Sequence, residues 1–312
     1  MKIFIIYNPA AGSARRFNRL SRLIHNLSLM GHSITLYPTR FGGEATELAN
    51  RAIAEGAEVI VAVGGDGTVN EIVQALAGKR VPLAVYPSGT TNVWCQQINM
   101  PVNPRLASEV ISSGARKQVD LGWVDGRYFL LMLGIGFDGE VVKGINPGLK
   151  QRLGKLAYVF SGLKALNYRA REVSITLETK ESFELRQKYH SGMLIFTNSE
   201  RYAILKIAHE AQLDDGSLNL LVFEDYGFIS KIKRAISLAL NRTEQDPRIA
   251  RFAIKSAKIE LKKPAAGQID GDFWGQCGPE PLEIRCVPGA LDVIVPHDAP
   301  GNIFINQTLK IT

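Results

Sequence analysis

Residues 64–71, Gly64-Gly65-Asp66-Gly67-Thr68-Val69-Asn70-Glu71, place three glycines around one carboxylate directly after an apolar run. Glycines let backbone N–H groups approach phosphate oxygens, and the N-terminus of a following helix adds partial positive charge. A carboxylate in such an anion-binding loop makes chemical sense with a divalent cation. Mg²⁺ held through Asp66, directly or through water, would neutralise carboxylate and phosphates together. A second loop, Pro87-Ser88-Gly89-Thr90-Thr91-Asn92, repeats the layout and offers hydroxyls and an amide to phosphate or ribose. A third, Asn8-Pro9-Ala10-Ala11-Gly12-Ser13, leads into Arg15, Arg16, Arg19 and Arg22, of which the first, third and fourth share a helical face. Each loop alone can also be read as a capped strand-to-helix turn, and the arginines as a solvated face. Three such loops after successive parallel strands predict a nucleotide site at the carboxyl edge of the sheet.

The elements that must carry these loops are legible in the pattern. Up to about residue 120, short apolar runs (Ile3–Tyr7, Ser33–Tyr37, Val59–Val63, Leu83–Tyr86) alternate with amphipathic stretches at 14–30, 44–55, 68–77 and 104–113. This predicts an α/β unit with a doubly wound, parallel sheet. Beyond it the rhythm changes to strands without crossover helices, at 127–135, 172–179, 182–189, 191–198, 216–223, 253–262, 266–271, 280–287 and 289–295. Helices are expected near 150–167 and 226–241. The second part therefore reads as a β-rich antiparallel sandwich. The expected division is a nucleotide domain at 1–122, completed by 296–312, and a β-sandwich domain at 123–295.

Composition narrows the field. A chain of 312 residues exceeds what one core organises, so two domains are the default. The three cysteines, Cys95, Cys277 and Cys286, are too few and scattered for a disulfide framework or zinc site and suit a reducing compartment. No apolar run approaches the roughly 18 residues of a membrane span, and the strand-like start leaves no signal peptide to be expected. The net charge of +7 favours anionic partners. No aromatic-basic reading motif points to nucleic acid. The five histidines show no ligand spacing, and Trp94, Trp123 and Trp274 read as packing residues.

The combination NPAAG, GGDGTVNE and PSGTTN, in this order, resembles the catalytic domain of diacylglycerol kinases and bacterial YegS-type lipid kinases, with sphingosine and ceramide kinases as relatives. The second half adds Gly134-Ile135-Gly136-Phe137-Asp138, the acidic turn Ala211-Gln212-Leu213-Asp214-Asp215-Gly216-Ser217-Leu218, and Gln268-Ile269-Asp270-Gly271-Asp272. The resemblance implies ATP and Mg²⁺ as cofactors. It places Thr39, Gly64 to Asn70, and Thr90 where family members contact ATP. Asp215, with the carbonyls of Gln212 and Ser217, falls where bacterial members hold a structural Mg²⁺. Asp272 falls on the glutamate of the family's Asp-Gly-Glu motif, the proton acceptor; here it is one methylene shorter, and Asp270 is the reserve candidate. The Gly-rich run that precedes the acidic turn in the family is missing, Asn198-Ser199-Glu200-Arg201-Tyr202 standing there.

The expected activity is transfer of the ATP γ-phosphate to a lipid hydroxyl, diacylglycerol or a related alcohol. An NAD kinase-like enzyme, or an inactive nucleotide- or lipid-binding regulator, is the alternative reading. From Lys143 to Arg171 the chain carries Lys143, Lys150, Arg152, Lys155, Lys164, Arg169 and Arg171, with no acidic residue among them. This suits an anionic bilayer surface, or equally a helix with a solvated basic face. A cytoplasmic protein bound peripherally to the inner membrane face is expected, and a homodimer is left open.

Overall fold

The computed structural model describes residues 1–9, 14–144, 168–179, 181, 184–202, 205–208, 210–224, 246 and 248–305. The chain divides into two compact units. The first comprises Met1–Leu121, Leu213–Asp215 and Pro288–Thr312; the second comprises Gly122–Gln212 and Gly216–Val287.

In the first unit β1 (Lys2–Tyr7), α1 (Ala14–Leu29), β2 (Ser33–Pro38), α2 (Glu44–Ala54), β3 (Val59–Gly64), α3 (Asp66–Leu76) and β4 (Leu83–Pro87) alternate. They are followed by α4 (Val93–Gln97), α5 (Pro104–Ser113) and the first part of β5 (Ala115–Val124). β2, β1, β3 and β4 lie side by side in that order, all parallel. β3 is buried along its whole length, as a strand covered on both faces must be. Its valines, with Ile3 and Ile5 of β1, are fully buried, each such side chain contributing about 1.5–3 kcal/mol. From β1 the chain winds outward to β2, and from β3 it winds the other way to β4. The reversal falls between β1 and β3, and right-handed crossovers put α1 and α2 on opposite faces there.

The second unit contains the β5 tail, β6 (Arg127–Phe129), β7 (Met132–Gly136), α6 (Phe137–Lys143), β8 (Arg171–Thr179), β9 (Glu184–Thr197), β10 (Arg201–Tyr202) and β11 (Leu205–Lys206). After these come β12 (Leu218–Glu224), β13 (Ile249–Leu261), β14 (Ala265–Ile269), β15 (Asp272–Cys277) and the first part of β16 (Leu282–Val295). Its pairings are antiparallel. β9 pairs with β12, β12 with β13, β13 with β8, and β8 with β9 again, closing a ring. Inside sit Val173, Ile175, Leu194, Phe196, Leu220, Val222, Ile254 and Ile259. The α/β unit with a parallel sheet and the β-rich antiparallel sandwich are thus both present.

Several details differ from the sequence reading: residues 127–135, expected as one strand, form β6 and β7; the strand expected at 266–271 ends at Ile269; and β5 and β15 were not expected. The strands expected at 182–189 and 191–198 are joined in one, β9 (Glu184–Thr197), whose first half pairs with β8 while its second half pairs with β12 and β7. The strands expected at 280–287 and 289–295 likewise join in the single strand β16 (Leu282–Val295). The helices expected near 150–167 and 226–241 lie outside the described residues.

Candidate functional site

The carboxyl ends of the parallel strands gather most of the candidate nucleotide residues. Asn8 and Pro9 follow β1, Thr39 follows β2, Gly64 closes β3, and Gly89 follows β4. The Asn8 amide donates to the Val63 carbonyl at 3.4 Å, and the Thr39 amide to that of Tyr7 at 2.8 Å, so adjacent loops are fixed to neighbouring strand ends. These are the ends at which an open α/β sheet binds ligands, at the point where its winding reverses. Gly12, from the first loop, lies outside the described residues.

The β3 and β4 loops are packed backbone to backbone. The Ser88 amide donates to the Gly64 carbonyl at 3.1 Å. A Cβ built on Gly89 would overlap the Gly65 Cα and stand 2.8 Å from Asn92 Oδ1. Gly65 is the N-cap of α3, in extended conformation and without a side-chain cap bond. Asp66, Gly67 and Thr68 form the first turn, and Thr68 folds back so that its Oγ1 would lie 2.5 Å from a Cβ on Gly64. The result is a close backbone approach of two glycine loops, with the Thr68 and Asn92 side chains folded against them and the α3 N-terminus beside it. That cradle fits a polyphosphate.

Other named residues have work inside the unit. Asn92 sits in left-handed conformation, φ 50°. Its Oδ1 accepts the Gly89 N–H at 2.8 Å and its Nδ2 donates to the Gly89 carbonyl at 3.0 Å, closing the second loop on itself. The Glu71 carboxylate accepts the Ala45 N–H at 3.1 Å and its carbonyl accepts Thr46 Oγ1 at 2.7 Å, tying α3 to the start of α2. Gln74 Nε2 donates to the Asn70 carbonyl, and Val69 is buried in the core. Thr90 is exposed. Asp66 makes itself felt electrostatically: Cys95, buried on α4, has its thiol pushed up by burial and then by the Asp66 charge.

In the second unit Asp270-Gly271 is the two-residue loop of the β14–β15 hairpin, with Ile269 opposite Asp272. Both loop residues have positive φ, 48° and 88°, the geometry for which Asp-Gly is favoured. Asp270 is 6% exposed. Its Oδ1 accepts the Leu131 and Met132 amides at 2.9 and 2.8 Å, and its Oδ2 accepts the Leu130 amide at 2.9 Å. Both oxygens are therefore committed to the β6–β7 segment, which makes Asp270 an anchor for the turn. Asp272 begins β15 and is exposed.

Leu213–Gly216 is a turn, with Gly216 at φ 73°. Asp214 Oδ1 accepts the Ile305 amide at 2.6 Å, and the Leu213 amide donates to the Ile303 carbonyl at 2.8 Å. Among the described residues no three His, Cys, Asp or Glu side chains gather as a metal cluster. The Asp215 carboxylate and the carbonyls of Gln212 and Ser217 are hard oxygen donors, the chemistry that Mg²⁺ takes. Of the basic tract, Lys143 lies on α6, Arg169 is exposed and Arg171 opens β8; Lys150, Arg152, Lys155 and Lys164 lie outside the described residues. Among the described residues no helix is long and apolar enough to cross a membrane.

Sequence reasoning gave no role to a buried pair, Asp138 on α6 and Gln268 on β14, joined by a hydrogen bond of 2.7 Å. Both lay in quoted motifs. The signal for their meeting is Gly134, which stands opposite Gln268 in the strand register.

A parallel α/β unit with glycine-walled loops at its winding reversal, followed along the chain by an antiparallel β-sandwich, defines a two-domain architecture of the nucleotide-site class. The diacylglycerol kinase catalytic domain matches residues 2–124, and the YegS C-terminal NAD kinase beta sandwich-like domain matches residues 132–295. The chain belongs to the diacylglycerol-kinase-like family that these two domains make up. It is 28% identical over 275 residues to a diacylglycerol kinase of Bacillus subtilis (strain 168), covering 87% of this chain and 89% of the relative. It is 29% identical over 310 residues to one of Staphylococcus aureus (strain MRSA252), covering 97% and 95%. A crystal structure of a protein provisionally named diacylglycerol kinase, from Bacillus anthracis str. Sterne, superposes with a TM-score of 0.77 at 26% identity, covering 94% of this chain and 95% of that one.

Proposed function

We propose that this protein is an ATP-dependent lipid kinase, transferring the γ-phosphate to the hydroxyl of diacylglycerol or a related lipid alcohol. The observation that carries the reading is the Gly89–Gly65 contact, which packs two glycine loops backbone to backbone beside the α3 N-terminus, where helix partial charge favours phosphate. The names of the relatives supply the acceptor class.

In this reading Asn8, Thr39, the Gly64–Asn70 loop and Thr90 hold ATP. Mg²⁺ bound through Asp66 supplies positive charge for the phosphates. The lipid hydroxyl oxygen forms a bond to the γ-phosphorus as the bond to the β,γ-bridging oxygen breaks. Asp272 takes the hydroxyl proton, and ADP leaves with the bridging oxygen. Phosphoryl transfer asks little more than such positioning and charge. Asp215 with the Gln212 and Ser217 carbonyls holds a second, structural Mg²⁺. The acceptor is presented at an anionic bilayer, toward which the basic residues between Lys143 and Arg171 draw the protein at the inner face of the membrane.

Incubation of the purified chain with γ-³²P-ATP, Mg²⁺ and, in parallel, a total lipid extract or NAD, followed by mass analysis of labelled products, tests this. A phosphorylated lipid is expected, with Asp66→Asn reducing its rate at least about tenfold. Labelled NADP from NAD, with no labelled lipid, would replace this reading by the NAD kinase alternative.

A further inference from the structure

Gln268 and Asp138 are each 1% exposed, far into the interior for an amide and a carboxylate. Such groups are retained in a core only when their hydrogen bonds are made. Gln268 Nε2 donates to Asp138 Oδ2 at 2.7 Å, and Gln268 Oε1 accepts the Gly271 N–H at 2.7 Å. The amide is thereby oriented, nitrogen toward the carboxylate and oxygen toward the turn. The pair exists because residue 134 has no side chain. A Cβ there would overlap Asp138 Oδ2 and stand 2.7 Å from Gln268 Nε2.

An Asp-Gly hairpin turn needs no such support, since its own residues supply the required backbone geometry. Here both turn residues are tied down independently. Asp270 is held by the Leu130, Leu131 and Met132 amides, and Gly271 is held by Gln268. Asp272 is the next residue, and its backbone is placed by the turn that the Gly271 N–H anchors together with its pairing to Ile269.

We infer that Gln268, oriented by Asp138, is a positioning residue: it fixes the Gly271 peptide and through it the direction in which Asp272 presents its carboxylate. The catalytic consequence rests on the lipid kinase reading. A general base acts only within hydrogen-bond reach of its proton. The shorter Asp272 side chain has fewer torsions with which to find that position than a glutamate has, so backbone direction carries more of the alignment.

The test exchanges the two chemistries. In Gln268→Leu the Gly271 amide loses its acceptor. In Gln268→Glu two carboxyl groups face each other, which disfavours their charged forms. In Gln268→Glu combined with Asp138→Asn, the new asparagine Nδ2 donates to the new glutamate, whose other oxygen accepts the Gly271 N–H as before. Solvent exchange of the Gly271 amide, ATP Kd, and kcat and KM for the lipid are measured for all. The single variants are expected to expose the Gly271 amide and lower kcat by about tenfold to a hundredfold, with ATP Kd and lipid KM within about twofold. The double variant recovers amide protection and kcat to within about threefold of the parent. Native kcat in a folded Gln268→Leu protein, or a double variant no better than Gln268→Glu, overturns the proposal. If Gln268→Leu fails to fold, the comparison of Gln268→Glu with the double variant decides it. If the parent protein phosphorylates no lipid, the kinase reading fails, and Gly271 exchange alone decides the relay: equal protection in every variant would refute it.

Discussion

Gly89 lies directly against Gly65, so close that a Cβ at position 89 would overlap the Gly65 Cα and stand 3.1 Å from its backbone nitrogen. Both obstacles are backbone, which does not move aside as a side chain would. Gly89→Ala should therefore push the two loops apart, costing about 1–3 kcal/mol of stability. ATP affinity should fall at least about tenfold, because the loops that shape the phosphate cradle separate. Gly42→Ala is the control: nothing lies within 4 Å of a Cβ there, and stability should stay within about 0.5 kcal/mol of the parent. Thermal unfolding and calorimetric titration with ATP give both quantities.

The two carboxylates of the Asp-Gly-Asp turn should separate cleanly under substitution. Asp270→Asn puts an amide nitrogen among three N–H donors. It should cost about 1–3 kcal/mol of stability, and its activity loss should track unfolding. Asp272→Asn, at an exposed position, should leave the denaturation midpoint unchanged while kcat falls by about a hundredfold or more. Asp272→Glu should stay active. Urea denaturation run beside steady-state kinetics distinguishes the patterns.

Thiol reactivity should follow burial. Cys95 and Cys277 are both buried. Burial, with the Asp125 charge secondary, pushes the Cys277 thiol up to about 12, and burial then Asp66 push Cys95 up as well. The thiolate is the reactive form. Native protein treated with a maleimide near neutral pH should label first at Cys286, which is partly exposed; Cys95 and Cys277 should react only after denaturation. Peptide mapping by mass spectrometry would read the order.

His32 should make the first unit acid-sensitive. Its Nε2 lies 2.7 Å from Ser112 Oγ and its Nδ1 3.3 Å from the N-terminal nitrogen. Burial, then the N-terminal charge, hold its pKa below the ordinary 6.5. The unfolded chain therefore takes up a proton at higher pH than the folded one. Stability is full above 6.5 and declines as pH falls through that value toward the lowered one. Denaturation midpoints between about pH 7.5 and 5.5 should fall less steeply in His32→Gln than in the parent.

The sequence by itself determined the first unit closely, because its signals are local. Ile3–Tyr7, Val59–Val63 and Leu83–Tyr86 are short apolar runs that only buried strands explain, and the glycine loops follow each strand within a residue or two. It ran the strand at 266–271 through Asp270-Gly271, which the structure makes a hairpin loop with positive φ at both positions. What it left undecided depended on partners far along the chain. β9 was divided in two because its halves face different neighbours, β8 on one side of Ser191 and β12 with β7 on the other. The sequence named Asp270 as a reserve base but did not show that the amides of Leu130, Leu131 and Met132, about 140 residues earlier, meet its carboxylate. Asp138 and Gln268 carried no role at all until the β7–β14 register put Gly134 opposite Gln268 and opened the space they share. Apolar periodicity reports which face of an element is buried, but not which polar atoms meet there. Hydrogen bonds are short and directional, so only the tertiary structure decided that the Asp270 carboxylate anchors the turn.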